Sequence, residues 1–74
     1  MEVLFRFFDY TSDKMPRVSK VANMTCIPSK GDIVCTHQYG RYRVFDVTYH
    51  MSFNEKIYDD EMKCEFVAVK MVKD

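Results

Sequence analysis

Residues 27–51 read IPSKGDIVCTHQYGRYRVFDVTYHM, which divides into a turn, a strand, a second turn and a longer strand. Pro28 fixes its own φ and favours extended backbone in the residue before it, and Gly31 can adopt the positive φ that a tight turn needs. Residues 33–36 are β-branched or small, and Tyr39-Gly40 then follows at the right distance to reverse the chain. The stretch is therefore predicted to form a β-hairpin.

The returning strand, residues 41–51, has an interrupted alternation of apolar residues. Tyr42 and Val44 share one face, but Val47 and the alternate residues after it are an odd number of positions further on. Because side chains alternate strictly between the faces of a regular strand, both sets can face the core only if the strand is irregular between them. We predict a bulge or bend near Phe45-Asp46, of the kind that curls the sheet of a small barrel.

The rest of the chain is predicted to contain three more strands and one loop. Residues 2–10 form a strand that is partly covered on both faces, and residues 62–72 form the last strand. Residues 17–25 fit a strand, although a short helix would also place Val18, Val21 and Ala22 on one side. Turn-forming residues favour a loop at residues 52–61, with room for one helical turn.

These elements predict a single domain over residues 1–74 and an all-β fold, a small SH3-like barrel of about five antiparallel strands. The composition agrees, because 47% hydrophobic and 15% aromatic residues suffice for a packed core and exceed what disordered chains contain. A chain of 74 residues leaves little room for a cleft enclosed on all sides.

Two segments of the hairpin carry a resemblance to a known fold. Residues 28–34 follow the pattern P-x-x-G-D-x-V, and residues 42–47 follow Y-x-V-x-x-V. The matching residues are Pro28, Gly31, Asp32, Val34, Tyr42, Val44, Val47 and Tyr49. This layout resembles SH3-like small β-barrels, including short phage accessory proteins, and more distantly KOW-type domains. The resemblance implies a barrel fold and a small accessory protein that acts by binding; similarity to KOW-type domains would imply contact with RNA or the ribosome.

Charge is balanced overall but not along the chain. Residues 14–43 carry six Lys and Arg against one acid, Asp32, whereas residues 46–66 carry six Asp and Glu against two Lys. Folding could interleave these charges on a mixed surface, or it could build a positively charged face that binds anions. Both interpretations stay open at the level of sequence.

The cysteines and the N-terminal residues indicate the compartment. Cys26, Cys35 and Cys64 are odd in number, which argues against a disulfide scaffold. The segment MEVLFRFF carries Glu2 and Arg6, so we expect neither a signal peptide nor a membrane helix. The sequence therefore predicts a cytoplasmic protein without membrane association, in the host cell if the source is viral.

Catalytic and metal chemistry are not favoured. Cys35 and His37 are two residues apart, with Cys26, Cys64 and His50 elsewhere, and this spacing lacks the paired short clusters of structural zinc sites. Cys35 with either histidine is the one plausible nucleophile set, but no nucleophile elbow or glycine-rich oxyanion loop accompanies it. We predict no enzyme activity, no metal site and no cofactor.

Binding is the favoured function, and the aromatic and basic strand is the first candidate site. Arg41 and Arg43 project on the face opposite Tyr42, with Tyr39 in the adjacent turn, so the strand could stack a base and neutralise a phosphate. The alternative is that the tyrosines are core and the arginines solubilise a surface. We predict stoichiometric binding of a host protein or of a small anionic ligand such as a nucleotide; the alternative is a nucleic-acid-binding module that also uses Lys20 and Lys30.

A protein partner would be contacted by apolar residues of the predicted loop. The full set of candidate binding residues is Tyr39, Arg41, Arg43, His50, Phe53, Ile57 and Tyr58. A homodimer is also plausible, paired through residues 2–10 or 67–69.

Overall fold

A computed structural model describes the backbone of residues 1–55 and 60–74 and the side chains of residues 1–52 and 65–74. Within these residues the chain forms five β-strands and no helix, which confirms the predicted all-β fold. The strands are β1 (Glu2–Phe8), β2 (Val18–Asn23), β3 (Ile33–Thr36), β4 (Gly40–Glu55) and β5 (Asp60–Lys73). The segment that could have been a short helix is therefore a strand, β2.

The five strands form one sheet in the order β2-β1-β5-β4-β3, curled into a half-barrel. Three of the four strand pairs are antiparallel, as predicted, but β1 and β5 run parallel, from Val3↔Val67 to Phe8↔Val72. The expectation of antiparallel pairing throughout was wrong at this pair. The reason is topological: the chain crosses from the β2 edge to the β3 edge, so β5 meets β1 at the centre of the sheet.

The predicted hairpin is present. β3 and β4 pair from Ile33↔Arg43 to Thr36↔Gly40, which leaves a three-residue connection. Gly31 and Gly40 both have φ of 94°, the positive value expected of the two turn positions. The hairpin is extended by a hydrogen bond from the Gly31 N–H to the Val44 carbonyl, 2.8 Å.

The predicted bulge is present as well. The register between β4 and β5 shifts between Val44 and Asp46, and it shifts again between His50 and Met51. The first shift returns Val47 to the side of Val44, where it packs against the core. Tyr49 faces the same way but is 54% exposed, because the buried cluster ends near this point of β4.

The predicted loop at residues 52–61 was placed too widely. β4 continues to Glu55 and β5 begins at Asp60, and the two strands stay paired to Glu55↔Asp60. Ladder pairing with a neighbouring strand outweighs the turn propensity of residues such as Asn54, since propensity in strands depends strongly on context. Residues 56–59 lie outside the described part of the chain.

The core lies on one face of the sheet, here called the inner face. It consists of Val3, Phe5, Phe7, Tyr42, Val44, Val67, Val69 and Met71. The connection from β2 to β3 crosses this face and packs Met24 and Ile27 against the core. Alternate residues point to the opposite, outer face, on which the candidate site lies.

The strands suggested for dimer pairing are internal. β1 lies between β2 and β5, and β5 lies between β1 and β4. Residues 2–8 and 67–69 therefore already pair with a strand on each side, and their backbones have no free edge for pairing with a second copy.

Candidate functional site

Arg41 and Arg43 lie on the outer face, as predicted, and both bind one carboxylate. Tyr42 between them is buried in the core at 1% exposure. The Arg41 Nε donates to Asp74 Oδ2 at 2.8 Å, and the Arg43 Nη2 lies 3.4 Å from Asp74 Oδ1. The Asp74 N–H also donates to the Arg41 carbonyl, 3.2 Å, so the residue after β5 is held against β4. Two guanidinium groups thus converge on the two oxygens of a single acid.

A second cationic group lies one strand away. The Lys70 Nζ is 4.8 Å from the centre of the Phe8 ring and 5.1 Å from that of Phe45, and Lys30 Nζ is 6.0 Å from the Phe45 ring. Such cation–π contacts contribute about 0.5–1 kcal/mol each at exposed sites. The Lys70 Nζ also donates to the Thr11 carbonyl at 3.2 Å. The lysine ammonium groups are therefore positioned over aromatic rings.

Arg6 completes the cluster. It is exposed on β1 and pairs in register with Lys70 of β5, so both side chains project from the same face. The site, here called the outer basic face, consists of Arg6, Lys30, Arg41, Arg43 and Lys70 with Phe8 and Phe45.

Two carboxylates contact the five cations of the outer basic face or pair with them in register; Glu2 lies elsewhere on the outer side, next to Leu4 and Val21, and Asp9 is paired with Arg17. Asp74 is bound by the arginines, and Asp46 is the register partner of Lys70. The Asp46 Oδ1 accepts a hydrogen bond from the N–H of Val47, 3.2 Å. The cations therefore outnumber the acids by three, although the chain as a whole is neutral. Folding has not fully interleaved the charges, and the outer basic face is positive.

Two other predicted site residues lie away from this face. Tyr39 packs inward, with its ring centre 5.1 Å from that of Phe7, so it belongs to the rim of the core. His50 is on the outer face but stacks on Phe66, 4.1 Å between ring centres. Six residues of β4 lie between Arg43 and His50, and the seven steps along the strand correspond to about 23 Å of extended backbone. The structure does not bring either residue to the arginines.

Phe53, Ile57 and Tyr58, predicted to contact a protein partner, lie outside the residues whose side chains are described. Lys20, named for the nucleic-acid alternative, pairs in register with the core residue Phe5 and so projects from the inner face. Lys30 lies on the same side of the sheet as the arginines, which agrees with its predicted place in the nucleic-acid alternative.

The inner face offers different chemistry. A groove of about 500 Å³ lies between the β2–β3 connection and the sheet, lined mostly by apolar side chains that include Phe5, Phe7 and Val34. Its polar side chains bond within the chain: Asp32 Oδ2 accepts from the Ser29 N–H, 2.8 Å, and Thr36 Oγ1 accepts from the Tyr39 N–H, 3.0 Å. The groove presents no cation to an anionic ligand among its lining residues.

Among the described residues, no three His, Cys, Asp or Glu side chains gather closely enough to hold a metal ion. The described residues include no helix that could span a lipid bilayer. Comparison of the chain with protein-family models, curated proteins and solved structures gave no match.

Sequence reasoning missed Arg6, Lys70, Phe45 and Asp74 as members of the site. The alternation of β1 and β5 places Arg6 and Lys70 opposite their buried neighbours, so their outward direction could be read from the sequence. Their adjacency could not, since it depends on the parallel pairing of β1 with β5.

Proposed function

We propose that the protein is a non-catalytic binding module whose outer basic face binds a phosphate-bearing ligand. The observation that carries this proposal is the excess of three positive charges among side chains from three strands and one turn of a chain with no net charge. Clustered cations raise the local concentration of anions and supply most of the affinity of non-specific phosphate binding.

The contacts of Asp74 support an oxyanion ligand, of which phosphate is one. Its two oxygens are each held by a different arginine, at 2.8 and 3.4 Å. A phosphate group also presents several oxygens to guanidinium groups, and arginine is well suited to such anions because its donors form a rigid fork. The pair of arginines can therefore hold an oxyanion between them, and the exposed position of both leaves the ligand accessible from solvent.

The layout of the face favours a strand of nucleic acid over a single nucleotide. Neighbouring strands are about 5 Å apart and alternate residues of a strand about 7 Å apart, so the cations are spread over a surface and not gathered in a pocket. Phe45 is 43% exposed among them and offers a ring on which a base could stack. Several phosphates of one chain could be neutralised together.

A salt-dependent titration tests the proposal and separates the two phosphate sources. Fluorescence anisotropy of labelled oligo-dT and oligo-U would measure the nucleic-acid arm, and calorimetry with ADP would measure the nucleotide arm. If three to five phosphates are neutralised, the slope of log affinity against log salt should be about −2 to −3.5 for a single strand. Affinity for ADP alone would favour the nucleotide, and absence of binding to all three ligands would refute the proposal.

A matched pair of variants locates the site. Arg43→Ala removes a cation from the outer basic face, whereas Lys20→Ala removes one from the inner side of β2. We expect Arg43→Ala to weaken binding and to make the salt slope shallower by about 0.7, with little change for Lys20→Ala. Equal effects of the two substitutions would contradict the assignment of the face.

The other predicted roles stay predictions. A protein partner depends on Phe53, Ile57 and Tyr58, which the structure does not describe at the side-chain level. The relation to SH3-like phage accessory proteins and a cytoplasmic location are compatible with the proposal, but the proposal depends on neither.

A further inference from the structure

β2 is an edge strand with a regular, extended backbone. One side of β2 pairs with β1, and no described strand pairs with its other side. It holds its register with β1 without a shift from Glu2↔Asn23 to Phe7↔Val18, and it contains no proline. The opposite edge, β3, has four residues against six in β2. β2 is therefore the better template for strand addition.

The hydrogen bonds show which groups of β2 face outward. The Met24 N–H donates to the Met1 carbonyl at 2.9 Å, so Met1 and Met24 are a hydrogen-bonded pair of the antiparallel ladder. Hydrogen-bonded and non-hydrogen-bonded pairs alternate along such a ladder. Residues 18, 20 and 22 accordingly direct their N–H and C=O groups to β1, and Ser19, Val21 and Asn23 direct theirs away from the sheet.

A second copy of β2 fits this edge in one register. When two copies of β2 pair antiparallel with their inner faces on the same side of the sheet, odd-numbered residues oppose odd-numbered ones and even-numbered residues oppose even-numbered ones. A two-fold axis near the middle of the strand then passes beside residue 20 or residue 21. An axis at Lys20 would set two lysines opposite each other. An axis at Val21 opposes Val21 to its copy, Ser19 to Asn23 and Lys20 to Ala22, without like charges. Both registers bring outward-directed groups together, but only the second pairs all three outward-directed residues of β2 within the strand, whereas the first sets Asn23 opposite residue 17.

An apolar surface continues to this edge. Val21 is 59% exposed, and with Glu2, Leu4 and Phe66 it lines a shallow hollow of about 200 Å³ on the outer side. In the register centred on Val21, the two valines meet and the hollows of both copies become adjacent. Exposed apolar surface next to an unpaired strand is characteristic of an interaction edge.

We propose that two copies of this chain pair through β2, with the two-fold axis at Val21, to form a continuous ten-stranded sheet. Six backbone hydrogen bonds would join the copies, through residues 19, 21 and 23 of each. Because the axis is perpendicular to the sheet, the outer basic faces of both copies lie on the same side. The pairing itself does not depend on the proposed ligand.

Cysteine cross-linking tests the register. In a chain with Cys26, Cys35 and Cys64 replaced by serine, Val21→Cys places the two new thiols on residues whose Cα atoms are about 5.5 Å apart, within the range of a disulfide. Ser19→Cys is the matched control, since it lies on the same strand and face but about 13 Å from its own copy. We expect oxidised dimer from Val21→Cys and little from Ser19→Cys. Equal cross-linking of both variants would overturn the register.

Analytical ultracentrifugation of the wild type and of Val21→Lys, both with their native cysteines, tests whether the dimer forms. The wild type should shift from monomer to dimer between micromolar and millimolar concentration, and Val21→Lys should stay monomeric. Val21 is exposed, so its substitution should leave the unfolding midpoint in urea close to that of the wild type. A wild type that stays monomeric at millimolar concentration, or a Val21→Lys protein that dimerises equally, would overturn the proposal.

Discussion

Arg41 and Asp74 form the shortest ion pair of the outer basic face, with 2.8 Å between Nε and Oδ2. The arginine is 61% exposed and the aspartate 26%. Exposed pairs of this kind contribute about 0.2–1 kcal/mol, so an external anion can compete for the arginine. Asp74 therefore occupies the position at which we expect a phosphate to bind.

Replacing Asp74 by asparagine should strengthen phosphate binding. Removal of the competing carboxylate frees Arg41 and Arg43, and the strength of an exposed pair corresponds to a gain in affinity of up to about fivefold. Asp46→Asn is the control, since it removes the same charge from the same face without a contact to either arginine. The two affinities, measured for oligo-dT at one salt concentration, should differ, with Asp74→Asn the tighter. An equal gain would mean that only the net charge of the face matters.

The two phenylalanines of the outer basic face should contribute very differently to stability. Phe8 is 4% exposed and Phe45 is 43% exposed, although both contact the Lys70 ammonium group. Truncating a buried phenylalanine to alanine costs about 3–5 kcal/mol, and we expect Phe8→Ala to lie near the lower end because it is covered partly by a lysine side chain. Phe45→Ala should cost less than about 1 kcal/mol. Urea unfolding measures both, and similar losses would contradict the burial of Phe8.

Gly40 closes the β3–β4 hairpin at φ of 94°, and a Cβ added there would meet no atom within 4 Å. The cost of Gly40→Ala should therefore come from backbone strain alone, about 1–2 kcal/mol in the free energy of unfolding. Gly40→Asn should cost less, because asparagine tolerates positive φ better than alanine. A neutral alanine variant in urea unfolding would show that the turn changes its conformation to avoid the strain.

The local structure of the sheet was predictable from sequence, but its order was not. Pro28 and Gly31 specify the turn before β3, Gly40 closes the β3–β4 hairpin, and the odd step from Val44 to Val47 specifies the bulge. These signals are local and depend on few residues. The parallel pairing of β1 with β5 is a contact between the two ends of the chain, which alternation in either strand cannot specify.

In the candidate site too, local features were predictable from the sequence and contacts between strands were not. The outward direction of Arg41 and Arg43 was predictable because Tyr42 between them is a core residue. Adjacency in sequence predicts Tyr39 on the arginines' side, yet the turn directs its ring to Phe7. Lys70 could be placed beside Phe45 only once β5 was known to pair with β4 through Asp46↔Lys70.

Chemical-shift mapping during an oligonucleotide titration tests the central claim most directly. In ¹H–¹⁵N spectra recorded with increasing oligo-dT, the backbone amides of Arg6, Arg43, Phe45 and Lys70 should shift together and saturate at one stoichiometry. Amides of the inner-face residues Lys20 and Ala22 should stay in place, which provides the internal control. Shifts confined to the inner groove, or no shifts at low salt, would contradict the assignment of phosphate binding to the outer basic face.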